Sequence, residues 1–291
     1  MILLVSVVLR IFSNPAANVF QKQLTARGYH PLLVNFLTYF LLSVVCIAIA
    51  VRTPFANLSA EWWMYSLQAG IAGACGNGFL VKALEKGELS VLGPINAYKS
   101  VVGMLVGIVL LREFPNAWGM LGMLLIIAGS YFVLDTMGER FSWGLFGRKE
   151  IQYRLWALIL TAIEAIFIKR VIQLSSPEVG FLSWCWTGAF FSFWLAFLYG
   201  QKIGPGIRQI RPYDIKKFAW LVACIGIMQF STNYVFKYMD VGYALALFQL
   251  SVIVSVFFGH RYFGEKDIRK KLVGAVIMLA GSVVIILLKN A

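Results

Sequence analysis

A chain of 291 residues that is 60% hydrophobic and only 13% charged, with mean hydropathy +0.77, lies far from the balance of a soluble domain. Its 26 Lys+Arg against 13 Asp+Glu would suit nucleic acid only if the cations shared a solvated face, and they fall instead between apolar runs. The composition excludes a nucleic-acid partner and indicates a polytopic, all-α integral membrane protein in contact with lipid.

Stretches long enough to span a bilayer, about 20 residues each, are predicted at 2–24, 31–51, 62–84, 90–111, 116–135, 155–173, 179–200, 216–238, 242–262 and 271–289. The first carries Arg10 and lacks a small-residue cleavage site, so it is expected to remain as a membrane helix. Short connections predict antiparallel neighbours. The longest, 136–154, mixes Phe, Trp, Arg and Lys, which suits either a segment lying on the membrane surface or a solvated loop. It separates 1–135 from 155–291, with five spans in each half.

Polar residues inside these spans carry the functional reading. Arg10, Asn14 and Asn18 form an i, i+4, i+8 stripe on the first span, where Pro15 interrupts the helical hydrogen bonding. Gly70, Gly73, Gly76 and Gly78 cluster on the third span beside Asn77, and Gly103 with Gly107 makes a GxxxG in the fourth; both suit close helix packing. Lys99 falls near the midplane of the fourth span, on one face with Asn96 and Gly103. Glu164 is the carboxylate set deepest in an apolar run. Trp184 is one of several span aromatics able to stack on a flat substrate or to pack on lipid, and Gln229, Asn233 and Lys237 stripe the eighth span. A charge at the bilayer centre costs about 2.5–3.5 kcal/mol by insertion scales, so Arg10, Lys99 and Glu164 should face one central cavity. The bland alternatives are interhelical glue for the amides and a static ion pair for the charges.

Two cations and one carboxylate leave about one positive charge, which suits an anionic substrate or a zwitterion. Glu164 would bind an ammonium group or carry a coupling proton; Lys99 is a second candidate for the proton. The cysteines (Cys46, Cys75, Cys185, Cys224) form no CxxC pair, and His30 and His260 lie at span ends. No metal, cofactor or catalytic arrangement is therefore expected. An intramembrane enzyme is the weakest reading, and a channel or lipid scramblase is the runner-up to a transporter.

The halves repeat. "KALEKGELSVLGPIN" from Lys82 aligns with "KYMDVGYALALFQLS" from Lys237, which sets Pro94 against Gln249. Glu113, Gly122, Gly129 and Ser130 match Glu265, Gly274, Gly281 and Ser282 at one constant offset, and "NVFQKQL" from Asn18 echoes "AIFIKRV" from Ala165. An odd number of spans per repeat inverts the second half, and inverted repeats with a midplane site are a hallmark of secondary transporters. On the Phe20–Lys22 and Phe167–Lys169 pairs, the "KALEKGELSVLGPI" block and the duplicated Glu–Gly–Ala-Gly blocks, the chain resembles the ten-helix EamA type of the drug/metabolite transporter superfamily. That resemblance implies transport of a small-molecule substrate, commonly export, coupled to a proton or counter-substrate in a bacterial or archaeal inner membrane, with both termini inside. The loop charges point the other way. Odd-numbered loops hold 18 Lys+Arg and the even loops with the C-terminus 6, which favours termini outside.

Overall fold

The computed structural model describes residues 2–51, 53, 58–96, 98–99, 102, 116–134, 146–239 and 241–287. Among these residues the regular structure is helical. The first half supplies α1 (Ile2–Thr25), α2 (Pro31–Ala50), α3 (Ala60–Lys86), α4 (Leu89–Ile95) and α5 (Ala117–Leu134). The second supplies α6 (Lys149–Gln173), α7 (Pro177–Leu198), α8 (Ile203–Arg208), α9 (Pro212–Tyr238), α10 (Val241–Phe248), α11 (Ser251–Phe263) and α12 (Ile268–Leu287). By length and composition, α1, α2, α7 and α9 are each able to cross a membrane.

Local chemistry sets the helix starts. Ser59 and Ser176 cap α3 and α7 by accepting from Trp62 N (3.1 Å) and Val179 N (3.2 Å), and Pro177 occupies the first helical position of α7. His30 Nδ1 accepts from Leu32 N at 3.3 Å ahead of Pro31. Glu88, at the start of α4, makes no side-chain cap. The carboxylate of Glu265, distant in sequence, accepts from Leu89 N and Ser90 N at 2.8 Å each and caps that helix instead.

Three predicted elements change. Helix α6 begins at Lys149, so Arg154 belongs to a helix and not to the connecting segment; residues 136–145 of that segment lie outside the described residues. A short helix, α8, stands in the connection between α7 and α9. The ninth predicted span is two helices, α10 and α11, separated by a turn at Gln249–Leu250. The fourth predicted span is described only in part: α4, a turn at Asn96, and helical Tyr98, Lys99 and Val102. Gly103 and Gly107 lie outside the described residues. The repeat register puts the turn after α4 and the turn after α10 within two residues of each other, and Gln249 Nε2 donates to Asn96 O at 3.3 Å across them. Breaks of this kind are tolerated at membrane depth only where protein or a polar cavity receives the freed backbone groups.

The packing follows the repeat. Helix α1 lies on α9, and its repeat image is α6 on α3; α5 lies on α12, and α2 on α7. Matched glycines meet across the α5–α12 contact. A β-carbon added at Gly129 would stand 2.7 Å from Gly274 O, and one at Gly281 would stand 2.6 Å from Gly122 O. Each contact is the image of the other under the Gly122/Gly274 and Gly129/Gly281 equivalence, so a pseudo-two-fold axis passes between these helices. Large apolar side chains such as Phe190, Trp194, Phe197 and Trp220 remain exposed on the outer surface, as a lipid-facing bundle requires.

One end of the bundle is tied by a buried ion cluster. Lys22 Nζ donates to Glu265 Oε1 (2.9 Å) and Gly87 O (2.8 Å), and it lies 4.6 Å from the centre of the Phe263 ring. Ser90 Oγ also reaches Glu265, and Lys271 pairs with Glu88 beside it. Burial opposes ionisation of Glu265, but Lys22 and the Ser90 donors outweigh it and hold the carboxyl below its ordinary value. A lowered folded-state pKa contributes stability that is present above the unfolded value and lost as pH falls through the folded one. Wild type should therefore lose stability on acidification below pH 4.5, the ordinary value, and Glu265→Gln should lack that component. At pH 7 the substitution should cost about 1–3 kcal/mol, read by thermal melting in detergent.

Candidate functional site

One turn of α1 from Lys22, the helices line a cavity of about 90 Å³. The residues of the first helix that line it, Arg10, Asn14 and Asn18, repeat at helical spacing. The register that sets Lys22 against Lys169 sets these three against Ala157, Thr161 and Ala165, and those also line the cavity. Asn77 and Thr232, equivalent in the Lys82/Lys237 register, line it as well. The cavity thus sits where matched positions of the two halves face each other.

Seven of the residues singled out from sequence share this lining: Arg10, Asn14, Asn18, Asn96, Lys99, Glu164 and Gln229. Trp184 and Asn233 do not. Trp184 is buried behind the wall, where its Nε1 donates to Glu164 Oε1 and its ring lies 4.6 Å from that of Tyr39. It holds the carboxylate and is not among the residues that line the cavity. Asn233 points into the α7–α9 contact, accepting from Gln229 Nε2 at 3.0 Å and donating to Pro177 O at 3.2 Å. It fixes Gln229 and the start of α7. Gly73 leaves the room that Glu164 occupies, because a β-carbon there would stand 2.5 Å from Glu164 Oε1.

Each charged side chain is aimed by a neighbour. Arg10 Nε donates to Thr232 Oγ1 at 2.9 Å and the guanidinium lies 4.9 Å from the centre of the Phe248 ring. Its Nη1 is buried with no hydrogen-bond partner among the described residues. Arg154, which the sequence had assigned to a loop, is buried in the lining and donates from Nε to Leu92 O at 2.8 Å. Among the described residues no ion pair joins Glu164 to a cavity cation. Asn77, which donates to Tyr39 Oη at 2.8 Å, and Thr161 and Thr232 complete a wall able to bind polar groups of several kinds.

The arrangement can recognise a small solute bearing negative charge. It offers guanidinium, ammonium, amide and hydroxyl groups in one space. Among the described residues no group of three or more His, Cys, Asp or Glu could hold a metal ion.

Comparison with known proteins bears on the family and the fold. The sequence pattern of the EamA-like transporter family matches residues 2–135 and again 149–287, one copy on each half. A solved structure described only as "Crystal structure of protein" superposes with a TM-score of 0.65 at 16% identity, over 97% of this chain and 98% of that one. At that identity the likeness bears on the fold alone. No curated protein matches the chain.

Proposed function

We propose, from the premise that this chain belongs to the EamA-like transporter family, that it is a secondary active transporter of a small polar metabolite. The two family repeats make it a multi-pass membrane protein of two five-helix units. The solute in this reading is an organic anion or an amino-acid-like zwitterion, exported by alternating access with a proton or counter-substrate in exchange. The observation that carries it is the cavity between matched positions of the two repeats, lined by Arg10, Lys99, Arg154 and Glu164, one turn of α1 from the Lys22–Glu265 ion pair. A rocking motion that exchanges the conformations of inverted repeats would open the cavity to one side and close it to the other.

The loop charges support an inner-membrane orientation with the Lys22–Glu265 end toward the cytoplasm. Moving Arg154 from loop to cavity removes one of the 18 and leaves the bias. The test is counterflow. Purified protein in proteoliposomes should exchange a labelled internal solute for an external one saturably, without bulk ionic current. Current that scales with driving force and does not saturate would make it a channel, and lipid flip without solute exchange a scramblase.

A further inference from the structure

The charge lining the cavity goes beyond what the sequence indicated. Among the described residues three cations line it, Arg10, Lys99 and Arg154, against one carboxylate, Glu164. With all four groups ionised, the described lining carries an excess of two positive charges. The two guanidiniums are anchored on different helices, Arg154 on the α4 backbone through Leu92 O and Arg10 on α9 and α10 through Thr232 and Phe248. Arg10 also keeps a buried N–H with no acceptor, and such a group is costly until an anion oxygen receives it.

From these facts, and resting on the transporter reading above, we infer that the solute is a compact dianion, with one anionic group on Arg10 and the second on Arg154 and Lys99. A zwitterion brings no net charge and would leave both positive charges uncompensated in a site that must close away from water. A monoanion would leave one. A dianion brings the loaded site to neutrality, which is the condition under which it can be occluded at membrane depth without a large desolvation cost. The charged groups line one small cavity, so the two negative charges must sit on a short frame. A short dicarboxylate and a small phosphate monoester both meet that description; the shared chemistry is two negative charges on a short frame.

The experiment is ligand binding by purified protein at pH 7.5 in low chloride, by calorimetry and thermal shift. The probes are succinate and glycerol 3-phosphate as dianions, butyrate as the monoanion of similar size, and alanine as the zwitterion. At least one dianion should bind about ten-fold or more tightly than butyrate and alanine. Arg154→Gln should cut dianion affinity by a similar factor while leaving butyrate within about two-fold, and Arg154→Lys should restore part of the loss. Should Arg154→Gln fail to fold, Lys99→Gln carries the same comparison. Equal or tighter binding of alanine or butyrate, no binding of either dianion, or an unchanged dianion preference in the variants would each overturn the inference. Proteoliposomes separate this from failure of the transporter reading. Saturable alanine exchange that ignores dianions sinks the dianion and keeps the transporter. Dianion binding without any counterflow keeps the site and sinks the transporter.

Discussion

Arg10→Ala should lower the rate of saturable exchange at low solute concentration by about 100-fold, while the protein still folds and melts cooperatively. The size follows from what the side chain does. Its Nε is held by Thr232 Oγ1 and its charge by the Phe248 ring, so the guanidinium does not need the solute for orientation. The unpaired Nη1 is then a pre-oriented donor, and a hydrogen bond from a charged group to an anion in a closed site contributes about 1.5–3 kcal/mol. Lost uncompensated charge adds to that figure, and each 1.4 kcal/mol is about ten-fold. Thr232→Val separates positioning from charge. It leaves the cation and removes its tether, and should cost exchange only several-fold. Glu164→Gln should differ in kind, because it keeps the shape held by Trp184 and Gly73 and removes the one negative charge. An Arg10→Ala protein that exchanges solute at the wild-type rate would remove this cavity from the transport path.

The seven lining residues legible in the sequence share one property: each is polar within an apolar run. Burying such groups against lipid is costly, so their convergence follows from solvation before any packing is known. Arg154 escaped because the residues before it, "GRKEIQY", are polar, and a hydropathy window ends the span there although the helix continues. A helical reading would have found it. Arg154, Ala157, Thr161, Glu164, Ala165 and Ile168 follow one face of α6, and all line the cavity. Trp184 on α7 and Asn233 on α9 lie outside the lining, because spacing along a helix does not say which neighbour a face meets. The break between α10 and α11 carries no Gly or Pro, so nothing local announces it. It is stabilised by a tertiary partner, Gln249 on Asn96 O, which stands where the first half relies on Pro94. The repeat itself was legible because its glycines lie on both sides of one helix contact, where substitution in either half disturbs the same backbone.

That contact supports the second large effect, on stability. In the α5–α12 pair a β-carbon at Gly129 would meet Gly274 O at 2.7 Å and Met278 N at 2.8 Å, and one at Gly274 would meet Gly129 O at 2.6 Å. These obstacles are backbone atoms and cannot rotate away, so the helices must part. Without a hydrophobic drive between helices in lipid, close van der Waals contact is a main source of their association. Gly129→Ala should therefore cost about 1–3 kcal/mol, and Gly129→Leu more. Gly281→Ala, its image against Gly122 O, should cost a similar amount. The pair Gly129→Ala with Gly274→Ala should cost clearly less than the sum of the two singles, because both act on one gap that opens once. Gly129→Ala with Gly281→Ala, at separate contacts, should come closer to additive. Gly204→Ala, where a β-carbon meets nothing within 4 Å, is the control and should leave the melting temperature unchanged. The reading is checked by thermal and denaturant melts of these variants in one detergent. If Gly129→Ala and Gly281→Ala melt with wild type, the two halves do not meet through these glycines. The pseudo-two-fold axis that places the cavity between them would then lose its support.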